Sequence, residues 1–107
     1  MRTISAPELA RWLALPGDPP PLVLDVREPW EVALASLPGT LSIPMGSIVA
    51  SFKQLDPDRP TVCLCHHGAR SMQVAMFLEQ QGFSDVVNLT GGIHAWAEQV
   101  DPAVSRY

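Results

Sequence analysis

The segment Cys65-His66-His67-Gly68-Ala69-Arg70-Ser71 carries a thiol, two imidazoles, a guanidinium and a hydroxyl around one glycine. It follows an apolar, β-rich stretch, Thr61 to Cys65, and precedes a helix-like one. A sulfur in such a loop gains stabilisation as an anion from several sources. Backbone N–H groups of a tight turn, ending at a helix N-terminus, point at it. Arg70 adds a permanent positive charge, and His66 and His67 add more at lower pH. No acidic residue lies between Arg59 and Leu78, so the loop reads as a positive spot. Thiols in these surroundings have pKa values lowered from ~8.5 to roughly 3.5–7.5. The thiolate is the nucleophile, so Cys65 is expected to react near neutral pH.

Cys63 differs from its neighbour. It sits inside the apolar stretch, flanked by Val62 and Leu64, and reads as a small buried hydrophobe. Metal chemistry is a weaker reading. Cys63, Cys65, His66, His67 and His94 all have ligand atoms, but Cys-x-Cys-His-His lacks zinc-site spacing. Neighbours at one strand end cannot all face one ion, so no metal site is expected. Asp25 and Arg27 end another apolar stretch. They read as a structural ion pair at a strand end; the second possibility is that Asp25 positions the loop or an arginine and that Arg27 attracts an anionic donor. His66 and His67 either tune the thiolate or contact the acceptor, or they contribute backbone amides alone while their side chains face solvent. Met45 and Ile93 are candidates for an apolar pocket edge, and Trp30 for a partly exposed ring. Trp12 and Trp96 fall on apolar helical stripes and read as core.

The elements that must position these residues alternate along the chain. Arg2 to Ile4 reads as an edge strand, and Leu22 to Val26, Leu41 to Ile43, Thr61 to Cys65 and Val86 to Leu89 as further strands. Helices are expected over Ala6 to Leu15, after the capping-box pattern Ser5-Ala6-Pro7-Glu8, and over Glu28 to Ala35 and Gly46 to Leu55. A longer one spans Ser71 to Gln81, with Ser71 as N-cap and Val74, Ala75 and Leu78 facing inward. Gly91-Gly92 opens a last helix, and the polar tail from Asp101 is expected to fray. Short, apolar, non-alternating strands between helices predict a parallel sheet covered on both faces, an α/β/α domain. In such sheets ligands bind beyond the carboxyl ends of the strands. Those ends converge on one rim, and Cys65 is the cysteine that belongs to it.

The 107 residues make one domain; the proline-rich group Pro16 to Pro21 reads as a connection within it, not a boundary. Hydrophobic residues reach 47% and charged residues 17%, which argues against disorder, and the net charge of −4 without a basic stripe argues against nucleic acid. The longest apolar run, Val74 to Leu78, is five residues, far below the ~20 that span a bilayer. With no secretory signal pattern and no membrane partner indicated, a cytoplasmic protein is expected. Two cysteines one residue apart exclude a disulfide scaffold.

Four segments together resemble the single-domain rhodaneses, the sulfurtransferases that carry sulfane sulfur as a cysteine persulfide. They are Leu24-Asp25-Val26-Arg27-Glu28-Pro29; Leu37-Pro38-Gly39-Thr40 with Ile43-Pro44; Cys65 to Ser71; and Gly82-Phe83, Leu89, Gly91-Gly92 and Trp96. Each is weak alone, but all four occur in order and at family-like spacing. The resemblance implies a five-stranded, mostly parallel central sheet in a three-layer α/β/α rhodanese-like domain. It implies that Cys65 accepts sulfur from a donor such as thiosulfate. The backbone amides of His66, His67, Gly68, Ala69, Arg70 and Ser71 hold the persulfide. A thiophilic acceptor, cyanide or a protein or small-molecule thiol, then removes the outer sulfur, with no metal or organic cofactor.

Two alternatives remain: a module that docks on a protein to deliver sulfur, and a small phosphatase or arsenate reductase. Only four residues separate Cys65 from Arg70. A related phosphatase family has a longer loop there, and by that rule the shorter loop suits sulfur better than phosphate or arsenate. One departure stands out: Ser36-Leu37-Pro38-Gly39 replaces a common His-Ile-Pro-Gly. It touches loop support or partner contact rather than sulfur transfer.

Overall fold

A computed structural model describes residues 1–16 and 19–107. Gly17 and Asp18 of the expected Pro16 to Pro21 connection lie outside the described residues. The strands are β1 (Arg2–Ile4), β2 (Leu22–Asp25), β3 (Leu41–Ser42), β4 (Thr61–Leu64) and β5 (Val86–Leu89). The α-helices are α1 (Ala6–Leu13), α2 (Pro29–Leu34), α3 (Ile48–Ser51), α4 (Ala69–Gln80) and α5 (Gly92–Gln99). The strand order is β1-β5-β4-β2-β3, and every pairing is parallel. β4 therefore lies at the centre, and its four residues are all buried.

Period-two alternation of side chains divides the core into two layers. Val62 and Leu64 of β4 join Leu9 of α1 and Ile93 and Trp96 of α5 on one face. Cys63 and Cys65 join Ile48 of α3 and Val74, Ala75 and Leu78 of α4 on the other. The sequence expectation of an α/β/α layer domain describes this arrangement, with the sheet wholly parallel. Ser5 caps α1 as its spacing predicts, its Oγ accepting from the Glu8 N–H while Glu8 returns to the Ser5 N–H. Trp96 is buried, but Trp12 is only half-buried, with the Arg2 guanidinium over its ring.

Three local expectations change. The segment from Gly46 to Leu55 is not one helix: α3 is a single turn between 3-10 turns at Met45–Ser47 and Phe52–Gln54. Ser71 is not the N-cap of α4. Gly68 holds that place at φ 118°, and the helix begins at Ala69, leaving the Ser71 hydroxyl free to turn back toward the loop. The tail does not fray, because Val104 and Tyr107 pack against the α1/α5 core layer.

Candidate active site

The carboxyl ends of the strands do meet on one rim, and backbone hydrogen bonds show how. The Val26 N–H donates to the Leu64 carbonyl, joining the ends of β2 and β4. The Ile93 and His94 N–H groups donate to the carbonyls of Cys65 and His66 at 2.9 and 3.1 Å. The loop that starts at Cys65 is thus stitched to the first turn of α5. That approach explains Gly92. It sits at φ 59°, and a Cβ there would collide with the Cys65 and His66 carbonyls. Gly92→Ala is expected to destabilise the fold by about 2 kcal/mol or more, since the left-handed region alone costs a non-glycine residue roughly 1–2 kcal/mol. Urea unfolding reads this loss. A variant as stable as wild type would show that the loop yields freely.

Cys65 is 1% exposed at the end of β4, and its sulfur faces inward to the loop. The Gly68 N–H donates to Sγ at 3.0 Å, and the Ser71 Oγ lies 3.3 Å away. Burial pushes the Cys65 thiol up. The Ser71 hydroxyl and the backbone N–H groups of Ser71, Gly68 and Arg70 outweigh that effect and hold its pKa below the ordinary thiol value. Cys63 has no such donors. Burial, with a smaller contribution from the neighbouring Cys65 charge, pushes its pKa up to about 12. Of the two cysteines, Cys65 is therefore the one whose surroundings favour the thiolate.

The Ser71 hydroxyl has one proton and several acceptors. Its Oγ lies 2.5 Å from Asn88 Oδ1 and 3.2 Å from the Gly68 carbonyl, which also accepts from Asn88 Nδ2 at 3.2 Å. Asn88 is buried in β5 and braces the glycine turn. Sequence reasoning missed it, although a lone amide in Val86-Val87-Asn88-Leu89 was the available signal.

The charge distribution corrects the sequence picture of a positive spot. Arg70 does not present an unpaired charge to the sulfur. Its Nη1 and Nη2 donate to the Glu31 carboxylate at 2.5 and 2.8 Å. Glu31 comes from α2, outside the acid-free segment, and is 3% exposed. Its pKa falls to about 2: hydrogen bonding to Arg70 lowers it most, burial opposes this, and Tyr107 adds to the lowering. Asp25 and Arg27 form a wholly buried pair, Nη2 to Oδ2 2.7 Å and Nε to Oδ1 2.9 Å. Arg27 also donates to the Ala35 carbonyl at 2.6 Å and to the Tyr107 hydroxyl at 2.9 Å. That hydroxyl donates in turn to Glu31 at 2.8 Å. Tyr107 thereby links the Asp25–Arg27 pair to the Glu31–Arg70 pair.

The Tyr107 ring stacks on His66, with centroids 4.0 Å apart and planes 9° from parallel. His66 is half-buried, and burial, followed by the charge of His67, lowers its pKa. His67 is exposed. Ala69 starts α4. Trp30 is 63% exposed and packs edge-to-face with Tyr107, the ring centroids 6.3 Å apart. Met45 lines an apolar groove of about 210 Å³ with Ile48, Val49, Gln73, Val74 and Phe77, and no residue of the reactive loop belongs to it. Ile93 lies in the core of the opposite sheet face, so it forms no pocket edge with Met45.

The site thus defines a wholly parallel α/β domain with a buried cysteine in the glycine-turned loop before α4. The rhodanese-like domain matches residues 5–99, and the chain belongs to this family of rhodanese-like sulfurtransferases. Over 89 residues it is 45% identical to the rhodanese-like/PpiC domain-containing protein 12, chloroplastic, of Arabidopsis thaliana, covering 79% of this chain and 30% of that longer protein. It is 42% identical over 84 residues to a sulfurtransferase of Allochromatium vinosum, with 78% of each chain covered. It is 41% identical over 91 residues to the thiosulfate sulfurtransferase GlpE of Pseudomonas paraeruginosa, covering 85% of this chain and 80% of the other. The crystal structure of a rhodanese-related protein from Thermoplasma volcanium superposes with a TM-score of 0.85 at 33% identity, covering 100% of both chains. No helix among the described residues is long and apolar enough to cross a membrane.

Proposed function

We propose that this sulfurtransferase carries sulfane sulfur on Cys65, taking it from a donor such as thiosulfate and passing it to a thiophilic acceptor. The observation that carries the reading is the buried Cys65 sulfur facing the Gly68 N–H and the Ser71 hydroxyl, donors arranged to hold an anion. The relatives named sulfurtransferase and thiosulfate sulfurtransferase support it.

In the first half-reaction the Cys65 thiolate attacks the outer sulfur of thiosulfate. The donor's S–S bond breaks, sulfite leaves with the electron pair, and Cys65–S–S⁻ remains. The N–H groups of Gly68, Arg70 and Ser71 favour the thiolate, and the amides of the His66 to Ser71 loop then hold the new terminal anion. In the second, a nucleophile attacks that terminal sulfur and the Cys65 thiolate is released, giving thiocyanate from cyanide or a persulfide from a thiol. The electrons balance within each step, so the cycle needs no metal or organic cofactor. Two covalent half-reactions make ping-pong kinetics the expected signature. A reducing cytoplasmic setting suits an enzyme whose cysteines work as free thiols.

Intact-mass spectrometry after incubation with thiosulfate tests the reading. The expected result is a gain of one sulfur atom that cyanide removes. No gain on a folded protein whose Cys65 still alkylates would sink the thiosulfate reaction and turn attention to protein-bound donors.

The pKa argument makes a separate prediction. A lowered thiol pKa extends thiolate, and hence alkylation, to lower pH. Ser71→Ala removes one of the groups that favour the anion while burial remains. Its pH profile of Cys65 alkylation by iodoacetamide is expected to move to higher pH. An unmoved profile would mean that the Ser71 hydroxyl donates to Asn88 Oδ1 instead and the backbone amides alone set the pKa.

A further inference from the structure

A cluster outside the persulfide chemistry lies at the rim of the same loop. The imidazoles of His66, His67 and His94 each offer a nitrogen, and these atoms all lie within 4.8 Å of one another. The sequence argued against a metal because neighbours on one strand end cannot converge on an ion. The fold supplies what that argument left out. The His94 N–H donates to the His66 carbonyl, and this places the third imidazole, from α5, against the other two. The ring centroids of His67 and His94 are 4.9 Å apart, and those of His66 and His67 4.1 Å.

We propose that His66, His67 and His94 form a three-histidine site for a divalent transition-metal ion of the zinc class, bridging the Cys65 loop to α5.

Three observations support the site besides proximity. The Nε2 of His66 is buried without a hydrogen-bond partner among the described residues, and a metal ion is one partner that a ring nitrogen accepts. A carboxylate on the other nitrogen of a metal-bound imidazole orients the ring, and Glu98 pairs with His94 one helical turn away. His67 is exposed, which gives an ion a way in and leaves room for a water as fourth ligand. Neutral imidazoles select zinc, copper, nickel or cobalt over magnesium or calcium, which prefer oxygen. A tetrahedral ion with metal–nitrogen bonds of about 2.0–2.1 Å requires the three nitrogens to close in by small rotations of the side chains. Once bound, the ion ties the loop that carries Cys65 to the helix its backbone already contacts.

The test must exclude the thiolate as a ligand, so it uses untagged Cys65→Ser protein. Calorimetric titration with Zn²⁺ alone is expected to show one site per chain. His94→Gln in that background is expected to weaken binding by about 100-fold, at or beyond the roughly 10–100-fold that loss of an outer-shell partner costs. His67→Gln, at an exposed position, is expected to do the same and serves should His94→Gln not fold. Co²⁺ in place of Zn²⁺ should give the visible bands of a tetrahedral nitrogen site. Absence of Zn²⁺ binding by the Cys65→Ser protein overturns the proposal. So does binding that survives both histidine substitutions.

Discussion

Cys65→Ser is expected to reduce thiocyanate formation from thiosulfate and cyanide by about a thousandfold or more, the scale of losing a covalent nucleophile. Cys63→Ser is expected to retain most of the activity. The two cysteines stand two positions apart on the same sheet face, so their contrast isolates electrostatics from position. Cys65 meets an inward-facing N–H and a hydroxyl, whereas Cys63 lies 0% exposed among apolar neighbours with its pKa pushed to about 12. A serine hydroxyl at position 65 fits the space but does not ionise near neutrality. It also forms no persulfide, so the mass gain disappears with the turnover. Serine at position 63 places a hydroxyl in the core and costs about 1–3 kcal/mol of stability on protein mutational scales. The discriminating measurement is thiocyanate turnover of both variants beside their circular dichroism. A folded but inactive Cys63→Ser would show that the nucleophile is misassigned or that the two sulfurs act as a relay.

Arg27→Met is expected to cost about 3–5 kcal/mol, the usual loss when one partner of a buried ion pair is removed. This is a large part of the roughly 5–15 kcal/mol that holds a domain together. Asp25 is 0% exposed and would lose its chief counter-ion. The Ala35 and Glu31 carbonyls and the Tyr107 hydroxyl would each lose a donor. The methionine stem retains much of the packing, so the loss reports on charge and hydrogen bonding rather than on a cavity. Urea unfolding measures it. The double variant Asp25→Leu/Arg27→Met is expected to recover part of the loss, because no buried charge is then left alone. A single variant within 1 kcal/mol of wild type would show that water or another cation replaces Arg27. The consequence reaches the active-site rim, since Arg27 anchors the Tyr107 hydroxyl, which also contacts Glu31.

The relation of Arg70 to Glu31 marks where sequence reading stopped. The loop from Cys65 to Ser71 was legible because its chemistry is local: a strand ends, a glycine turns the chain and a helix starts within seven residues. The conclusion that the loop is electropositive rested on sequence neighbours alone. Glu31 lies 39 positions from Arg70 and enters the site only because α2 follows the strand next to β4. Asn88 is similar, carried to Gly68 by the pairing of β4 with β5. The placement of Ser71 as an N-cap failed for a different reason. A hydroxyl before an apolar helical stripe has the right pattern, but Gly68 makes the turn earlier, at a positive φ that only the backbone reveals.

The sequence by itself determined the parallel α/β architecture, the order of strands and helices, and which cysteine ends a strand in the glycine loop and which lies inside the sheet. These follow from side-chain periodicity and from contacts within a few residues. The tertiary structure decided what surrounds the Cys65 sulfur. It paired Arg70 with Glu31, folded the Tyr107 tail over His66, braced the glycine turn with Asn88 and brought His94 to the two loop histidines. Each of these contacts joins residues far apart in the chain. Their meeting depends on which strands become neighbours in the sheet, and that is set by the packing of the whole core rather than by any local pattern of residues.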